Sequence, residues 1–385
     1  MSVPGPGAPS RPGRDLRIDF FRGLALLTIF VDHVRGDPWG RWTLREYGLV
    51  TALDVFILLA GVSGYLAYGT RLGSGWRDGR DGLRRLFRRV ATVYGAHLGL
   101  VLSLVLLAGV VGVLWPSYPV LPYLQVSRLV HDPWPTVLQV VTMSYQPRFC
   151  GILPVYVLLL PTLPLVVWGM RVSRLLPLGV GLVAFGVAVF TDLGFPFGGG
   201  DEWRIDPLKW FVVYAAGIVL GSLAGRPPWH APRWVTWLAV GWLAVTLLDD
   251  APWQALPGLA GVTAPTVALG VDLHAQPWAE VLRLVSLAAA GWLVLRVVPA
   301  RAAWLRAPSA VAVNRVGAAS LPMFWIGAVL SAAATIVAVR LGESWAAYTA
   351  VTALGVVALL GAARLRATRF PRRTSSAPAV TTQPT

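Results

Sequence analysis

Charged residues are scarce in this chain of 385 residues: only 13% are Asp, Glu, Lys or Arg. Soluble domains carry about 25% charged residues, because a folded surface must be hydrated. At the same time 56% of the residues are hydrophobic, and the mean hydropathy is +0.62. The composition excludes an ordinary soluble enzyme, a disordered protein and a coiled coil. It predicts an all-α, polytopic membrane protein that is apolar over most of its length.

Cysteine and lysine are each represented by one residue, Cys150 and Lys209. A single cysteine excludes an intrachain disulfide, and no Cys/His set has the spacing of zinc ligands, so we expect no metal. The net charge of +15 is therefore carried by arginine. A strongly basic chain indicates either nucleic acid or an anionic membrane surface as a partner, and the positions of the arginines distinguish the two.

Ten apolar runs are long enough to cross a membrane as helices. Several contain Gly or Pro, which membrane helices tolerate. A further run, 255–271, contains two prolines and many small residues, and we expect it to be a re-entrant or surface segment. The ten predicted spans are 20–35, 49–68, 90–114, 152–169, 175–191, 208–224, 234–248, 281–298, 317–339 and 345–363.

The arginines predict how these spans are oriented. If the N-terminus is cytoplasmic, the inner segments hold 23 arginines and few acids, whereas most Asp and Glu residues fall in outer segments. This is the positive-inside pattern, and it places both termini on the cytoplasmic side of the membrane. The basic charge is split over six short segments, so it is a topology signal. We therefore expect the lipid bilayer, and no nucleic acid, as the partner.

The chain divides into a membrane domain between two polar tails. Residues 1–15 are rich in Pro and Gly, and residues 367–385 are rich in Pro, Ser and Thr. Such compositions predict disordered segments, here on the cytoplasmic side. The predicted transmembrane domain covers 16–366, and its long outer loop 115–151 is too short to form a separate domain. The chemistry must therefore take place within the helix bundle or at its faces.

Polar residues share one side of the first predicted helix. At about 100° per residue, Asp19, Arg22 and His33 fall within roughly 60° of one another. His33 lies about 16 Å further along the helix than Arg22, near the outer end. Charged groups at membrane depth are costly and indicate a functional site by default. The alternative is a structural Asp19–Arg22 pair, with His33 at the membrane interface.

Asp54 begins the second span and is expected at about the depth of His33, because this helix runs from outside to inside. A carboxylate there would hold the second imidazole nitrogen of His33 and increase its basicity. Asp32 is adjacent to His33 in sequence, so its side chain points about 100° away and is the weaker candidate. The alternative is that Asp54 is a hydrated residue at a helix end.

Four arginines, Arg84, Arg85, Arg88 and Arg89, precede the third span and form a broad cationic face on a helix. Guanidinium groups bind phosphates bidentately, so this face is a candidate site for a phosphorylated donor on the cytoplasmic side. His97, about two turns further into the membrane, is a second candidate for donor binding. The alternatives are positive-inside charge for the arginines and a hydrogen-bonded core residue for His97.

These residues together suggest a reaction with one substrate on each side of the membrane. The arginines would bind a phosphorylated donor in the cytoplasm. His33 would act as a general base on a hydroxyl group of an acceptor outside.

Six stretches resemble, in the same order, the OpgC-type membrane acyltransferases of the acyltransferase-3 superfamily. The spacing of Arg22 and His33, with ten residues between them, is similar to the superfamily signature. The resemblance implies about ten membrane helices, an acyl-CoA donor and O-acylation of a carbohydrate outside the cytoplasm. In that family the reaction is succinylation of osmoregulated periplasmic glucans, which implies succinyl-CoA. The stretches are LRIDFFRGLALLTIFVDHVRG, DVFILLAGVSGYLAYG, RRVATVYGAHLGLVL, ILPVYVLLLP, IDPLKWFVVYAAGIVLG and VGAASLPMFWIGAVLS.

On this resemblance His33 is the catalytic histidine, Arg22 is its motif partner, and the Arg84–Arg89 cluster is the donor-phosphate site. The chain is thus expected to be an acyltransferase. Two alternatives stay open. One is a related amino-sugar N-acetyltransferase, which also has an Arg- and Asp-rich first span. The other is a transporter or flippase, whose intramembrane charges would line a pathway; the inverted repeats typical of many transporters are not visible.

Overall fold

The computed structural model describes residues 15–72, 76–191, 193, 203, 205–224, 232–250, 252–255, 258 and 261–369. This part of the chain is all-α, as predicted, and contains no strand. The first nine α-helices are α1 (Leu16–His33), α2 (Ala52–Gly64), α3 (Thr70–Leu72), α4 (Trp76–Leu114), α5 (Val120–Leu124), α6 (Ser127–His131), α7 (Pro133–Val141), α8 (Ile152–Leu159) and α9 (Leu163–Val172). The others are α10 (Leu176–Phe190), α11 (Pro207–Ser222), α12 (Arg233–Asp249), α13 (Pro265–Ala268), α14 (Trp278–Val297), α15 (Pro308–Ala318), α16 (Ser320–Arg340) and α17 (Trp345–Arg369).

Short tight turns of helix join or extend some of these elements. A π-helical turn, Tyr65–Gly69, links α2 to α3. The 3-10 turns are Pro38–Trp42, Leu44–Glu46, Leu160–Thr162, Pro252–Ala255 and Ala303–Arg306.

Several helices are suited to a membrane interior. Among the described residues six helical stretches are long and apolar enough to cross a bilayer, and α10 and α11 are apolar but shorter. The six stretches together with α10 and α11 cover eight of the ten predicted apolar runs. The other two runs fall on α1 and α12, so each predicted run falls on a helix. The chain is therefore a helical membrane protein. The six candidate spans are Ala52–Leu72, Asp78–Leu114, Ile152–Val172, Trp278–Val297, Ser320–Arg340 and Trp345–Arg369.

Glycines permit close helix crossings on either side of the α1–α2 pair. α2 packs most extensively on α11, where a Cβ on Gly217 would lie 3.0 Å from the Cα of Gly61. α1 crosses α15 in the same way, and a Cβ on Gly317 would lie 2.7 Å from the backbone nitrogen of Gly23. Small residues allow backbones in a membrane to approach this closely. The crossings hold α1 and α2 between α15 and α11.

The chain after α4 differs from the sequence prediction. Residues 115–151, expected to be an outer loop, fold back along α4 and carry α5, α6 and α7; we call them the folded-back segment. The Tyr94 hydroxyl donates to the Val141 carbonyl at 2.8 Å, about 30 Å along α4 from its end at Leu114. Val120 and Leu124 are buried. The segment packs on the bundle because its apolar side chains are buried there.

The predicted domain limits shift by a few residues. α17 continues to Arg369, so residues 367–369 are helical and do not belong to a polar tail. At the other end the Asp15 side chain accepts a hydrogen bond from the Arg17 backbone N–H at 3.0 Å, which caps α1. The remaining residues of both predicted tails lie outside the described residues. In the described part of the run 255–271 the one α-helix is α13, which is far too short to cross a bilayer.

Candidate active site

His33 is the last residue of α1, and its side chain is exposed. Its Nδ1 lies 2.7 Å from the carbonyl oxygen of Ile29, one turn earlier. A carbonyl oxygen only accepts hydrogen bonds, so Nδ1 carries the ring proton and Nε2 is the basic nitrogen of the neutral ring. Nε2 has no hydrogen-bond partner among the residues that the structure describes. The imidazole is therefore oriented to accept a proton at Nε2.

A narrow crevice beside His33 is formed by α1, α16 and the folded-back segment. Its walls are mostly apolar, and the ring of Phe149 lies 5.6 Å from the imidazole ring. The buried Ser331 hydroxyl donates within α16 to the Gly327 carbonyl at 2.9 Å and lies 3.0 Å from the Phe30 carbonyl of α1. His33 thus projects from the wall of a mostly apolar crevice at the end of α1.

The structure does not bring Asp54 to His33, contrary to the sequence prediction. Asp54 is fully buried, and its Oδ1 forms an ion pair with Arg283 on α14. Its Oδ2 accepts hydrogen bonds from Thr51, at 2.9 Å from the backbone N–H and 2.7 Å from the hydroxyl. Because both oxygens are engaged, the carbonyl of Ile29 and not a carboxylate orients His33.

Sequence reasoning missed Arg283, although a signal was present. An arginine inside an apolar run requires a partner at membrane depth, and the buried acid of another span is the natural one. Arg283 also pairs with Glu280 at 2.9 Å, and its guanidinium carbon lies 4.3 Å from the Trp210 ring centroid. The cluster therefore links α2, α11 and α14.

Arg22 and Asp19 face neighbouring helices, as expected of charges at membrane depth. Arg22 donates to the Leu59 carbonyl and to the Ser63 hydroxyl, each at 2.6 Å, and so ties α1 to α2. Asp19 is buried where α1 passes α15. Arg22 does not line the His33 crevice. Of the two motif residues, Arg22 thus joins α1 to α2, whereas the exposed His33 is available for chemistry.

The arginine cluster before the membrane part of α4 faces solvent. Arg84, Arg85 and Arg88 are exposed, whereas Arg89 is half-buried and close enough to Tyr68 for electrostatic interaction. α4 has 39 residues, or about 58 Å, against a hydrocarbon thickness of about 30 Å. The cluster therefore projects beyond the membrane interior, where an anionic molecule has access to it.

His97 lies away from that cluster, in the interior. It is fully buried, and its Nε2 lies 3.4 Å from the Val140 carbonyl at the end of α7. Its Nδ1 has no hydrogen-bond partner in the described part of the chain. The geometry matches the alternative of a core residue that packs the folded-back segment against α4, and it does not match a contact with a donor.

A series of aromatic residues connects the arginine cluster with the His33 crevice. Arg89 is close to Tyr68, and Tyr68 is close to Tyr156. The ring of Tyr156 lies 6.3 Å from that of Phe56, and Phe56 lies 6.4 Å from Phe324 in the crevice wall. The sequence pattern contains no signal for this series, since its members come from three helical stretches that are far apart in the sequence: α2 with its π-helical turn, α8 and α16.

The fold and the site define a helical membrane protein with buried charged residues on α1, α2 and α14 and an exposed arginine cluster on α4. A family model described as OpgC protein matches residues 14–370, nearly the whole chain. The chain belongs to the OpgC family, as its motifs indicate. Membership of this family indicates a membrane acyltransferase that modifies glycans. Comparisons with curated proteins and with solved structures find no match.

Proposed function

We propose that this protein is a membrane-bound O-acyltransferase. It moves an acyl group from cytoplasmic acyl-CoA to a hydroxyl group of an envelope or periplasmic glycan. The observation that carries the proposal is His33, which is exposed beside a crevice, with Nδ1 held by Ile29 and Nε2 free for proton transfer. Membership of the OpgC family supports the class of reaction.

In this reaction His33 acts as a general base. Its Nε2 takes the proton of the acceptor hydroxyl while the hydroxyl oxygen forms a bond to the thioester carbonyl carbon. The resulting tetrahedral intermediate collapses with cleavage of the C–S bond. The leaving thiolate takes the proton from the imidazolium, so the products are an ester and free CoA, and His33 returns to its neutral form.

The donor binds at the arginine cluster, and its thioester extends toward the His33 crevice. Arg84, Arg85, Arg88 and Arg89 supply guanidinium groups for the phosphates of CoA. The aromatic series that starts at Tyr68 supports a route from this cluster to the crevice. An acyl group such as succinyl stays bonded to the CoA sulfur along this route until the glycan hydroxyl attacks it at His33.

We also propose that the chain crosses a bacterial inner membrane ten times, with both termini on the cytoplasmic side. The positive-inside distribution of arginine supports this topology. A reporter fused after Arg373 is expected to be active in the cytoplasm only. Periplasmic activity of the same fusion would contradict the number of spans.

Mass spectrometry of envelope glycans tests the function directly. Glycans from a wild-type strain are compared with those from a deletion strain and from deletion strains that carry His33→Ala or His131→Ala. His131 is an exposed histidine of α6 that does not line the crevice, and it serves as the matched control.

We expect an ester-linked acyl mass that the deletion removes. His131→Ala restores it, and His33→Ala does not, since general-base catalysis contributes a factor of about 10² to 10⁴. Unchanged glycans in the deletion strain would contradict acyl transfer to glycans. Restoration by His33→Ala would contradict the role of His33. Acylation of an amine instead of a hydroxyl would favour the N-acetyltransferase alternative.

A further inference from the structure

The backbone of the folded-back segment is strained next to His33. Phe149, whose ring packs on the imidazole, has a φ of 70°, in the left-handed region. A bulky residue with positive φ is unusual, and such strain clusters at functional sites. Phe149 lies between Arg148 and the buried Cys150. The surrounding contacts must therefore hold Phe149 in this conformation, with its ring against the imidazole of His33.

The Arg148 side chain is anchored at its base. Its Nε donates to the Tyr123 carbonyl at 2.6 Å, and the guanidinium carbon lies 5.1 Å from the Tyr123 ring centroid. The backbone N–H of Arg148 donates to the Leu124 carbonyl at 3.1 Å. Both partners belong to α5, so this short helix supports the guanidinium. The side chain loses little further conformational freedom when it binds a ligand.

The terminal nitrogens of Arg148 are available. Neither has a hydrogen-bond or ion-pair partner among the residues that the structure describes. Arg148 is half-buried and directly precedes Phe149, whose ring centroid lies 5.6 Å from that of His33. Arg45, which also lies within electrostatic range of the imidazole, is exposed and pairs with Glu46 at 4.0 Å. Arg148 is thus an oriented cation next in sequence to Phe149, whose ring packs on the candidate base, and it has no carboxylate partner in the described part of the chain.

We propose that Arg148 is a second catalytic residue, which binds the acyl carbonyl oxygen as this oxygen becomes negatively charged. The inference rests on the proposed acyl transfer. When the acceptor oxygen bonds to the carbonyl carbon, the C=O electron pair moves onto oxygen, and the guanidinium donates two N–H hydrogen bonds to it. The electron pair returns when the C–S bond breaks and the thiolate leaves. Fixed donors of this kind stabilise a transition state because they need no reorganisation.

The experiment measures acyl transfer by the purified full-length protein, with acetyl-CoA and with succinyl-CoA as donors. The variants are Arg148→Gln, Arg148→Lys and Arg148→Ala. Arg128→Gln is the matched control, since Arg128 lies on the same segment at the same 5.1 Å from a tyrosine ring, that of Tyr145. Thermal unfolding of each variant separates loss of function from loss of fold.

Arg148→Gln is expected to lower kcat by about a hundred- to a thousandfold with both donors, as loss of one oxyanion donor does, with little change in KM. Arg148→Lys retains part of the activity, and added guanidinium ion restores turnover to Arg148→Ala. Arg128→Gln behaves like the wild type.

Other results overturn the inference. One is an unchanged kcat in Arg148→Gln. Another is a loss confined to KM for succinyl-CoA, which would assign Arg148 to the carboxylate of the donor. A folded Arg148→Ala that guanidinium ion does not rescue would assign Arg148 to structure. If the wild type and Arg128→Gln transfer no acyl group, the proposed function itself fails, which is distinct from each of these results.

Discussion

The carboxylate of Asp54 forms a buried ion pair with the guanidinium of Arg283, a residue 229 positions further along the chain. The pair joins the first turn of α2 to α14, and the ring of Trp210 adds α11 to the contact. A buried charge is tolerated when its partner and hydrogen bonds are present, and it is strongly destabilising when the partner is lost. Asp54 is therefore a residue of the helix interface, and His33 is oriented by the Ile29 carbonyl of its own helix.

Removal of either partner is expected to destabilise the protein. Asp54→Asn or Arg283→Gln should each cost about 3–5 kcal/mol, because the remaining charge stays buried without its counter-ion. Unfolding of the purified protein in detergent, followed by tryptophan fluorescence, measures the effect. Glu280→Gln is the control, and a smaller loss is expected, since Arg283 keeps its buried partner Asp54 when the partly exposed Glu280 carboxylate is removed. The double variant should lose less than the sum of the single losses, and full additivity would count against direct coupling.

The arginine cluster on α4 is expected to bind the donor. Arg84→Gln, Arg85→Gln and Arg88→Gln together should weaken acyl-CoA binding, and the remaining affinity should depend less on salt, because exposed charges are screened by ions. Titration calorimetry at two salt concentrations measures both effects. The control replaces Arg364, Arg366 and Arg369 on α17. An equal loss of acyl-CoA affinity in both triple variants would indicate a general effect of positive charge. A loss of membrane insertion would indicate that the α4 arginines serve only to orient the protein in the membrane.

The crossing of α1 and α15 is expected to be intolerant of a methyl group. In Gly317→Ala the new Cβ would lie 2.8 Å from the Asp19 carbonyl carbon, so the helices must separate. Overpacking of this kind costs about 1–3 kcal/mol. Gly291→Ala on α14 is the matched control, since its Cβ would meet nothing within 4 Å. Melting temperatures in the same detergent compare the two, and a Gly317→Ala protein as stable as Gly291→Ala would argue against the crossing.

Cys150 is expected to be unreactive in the folded protein. Burial raises the pKa of the Cys150 thiol above its ordinary value, so the thiol stays protonated at pH 8, and the thiolate is the reactive form. A maleimide should label it only after denaturation, whereas Ser117→Cys, at an exposed position, should be labelled in the native state. Cys150→Ala should retain acyl transfer. Loss of transfer in a folded Cys150→Ala protein would indicate a covalent acyl-cysteine route instead.

Local sequence determined much of the architecture. Apolar runs of about 20 residues must bury their backbone groups in helices when they lie in a bilayer, and each predicted run falls on a helix. The polar stripe of Asp19, Arg22 and His33 follows from helical periodicity alone. These features depend on neighbours along the chain, and so they are visible without a structure.

Tertiary structure decided the contacts of the polar residues. The partner of Asp54 is Arg283, which hydropathy cannot select from the other arginines because the pair is separated by most of the chain. The folded-back segment brings the ring of Phe149, the residue after Arg148, onto His33, although its composition predicts only a loop. Sequence periodicity thus determined which residues share a helix face. Packing between distant helices determined which residue each face contacts. The reason is that the free-energy cost of burying an unpaired charged side chain depends on its surroundings in the folded protein.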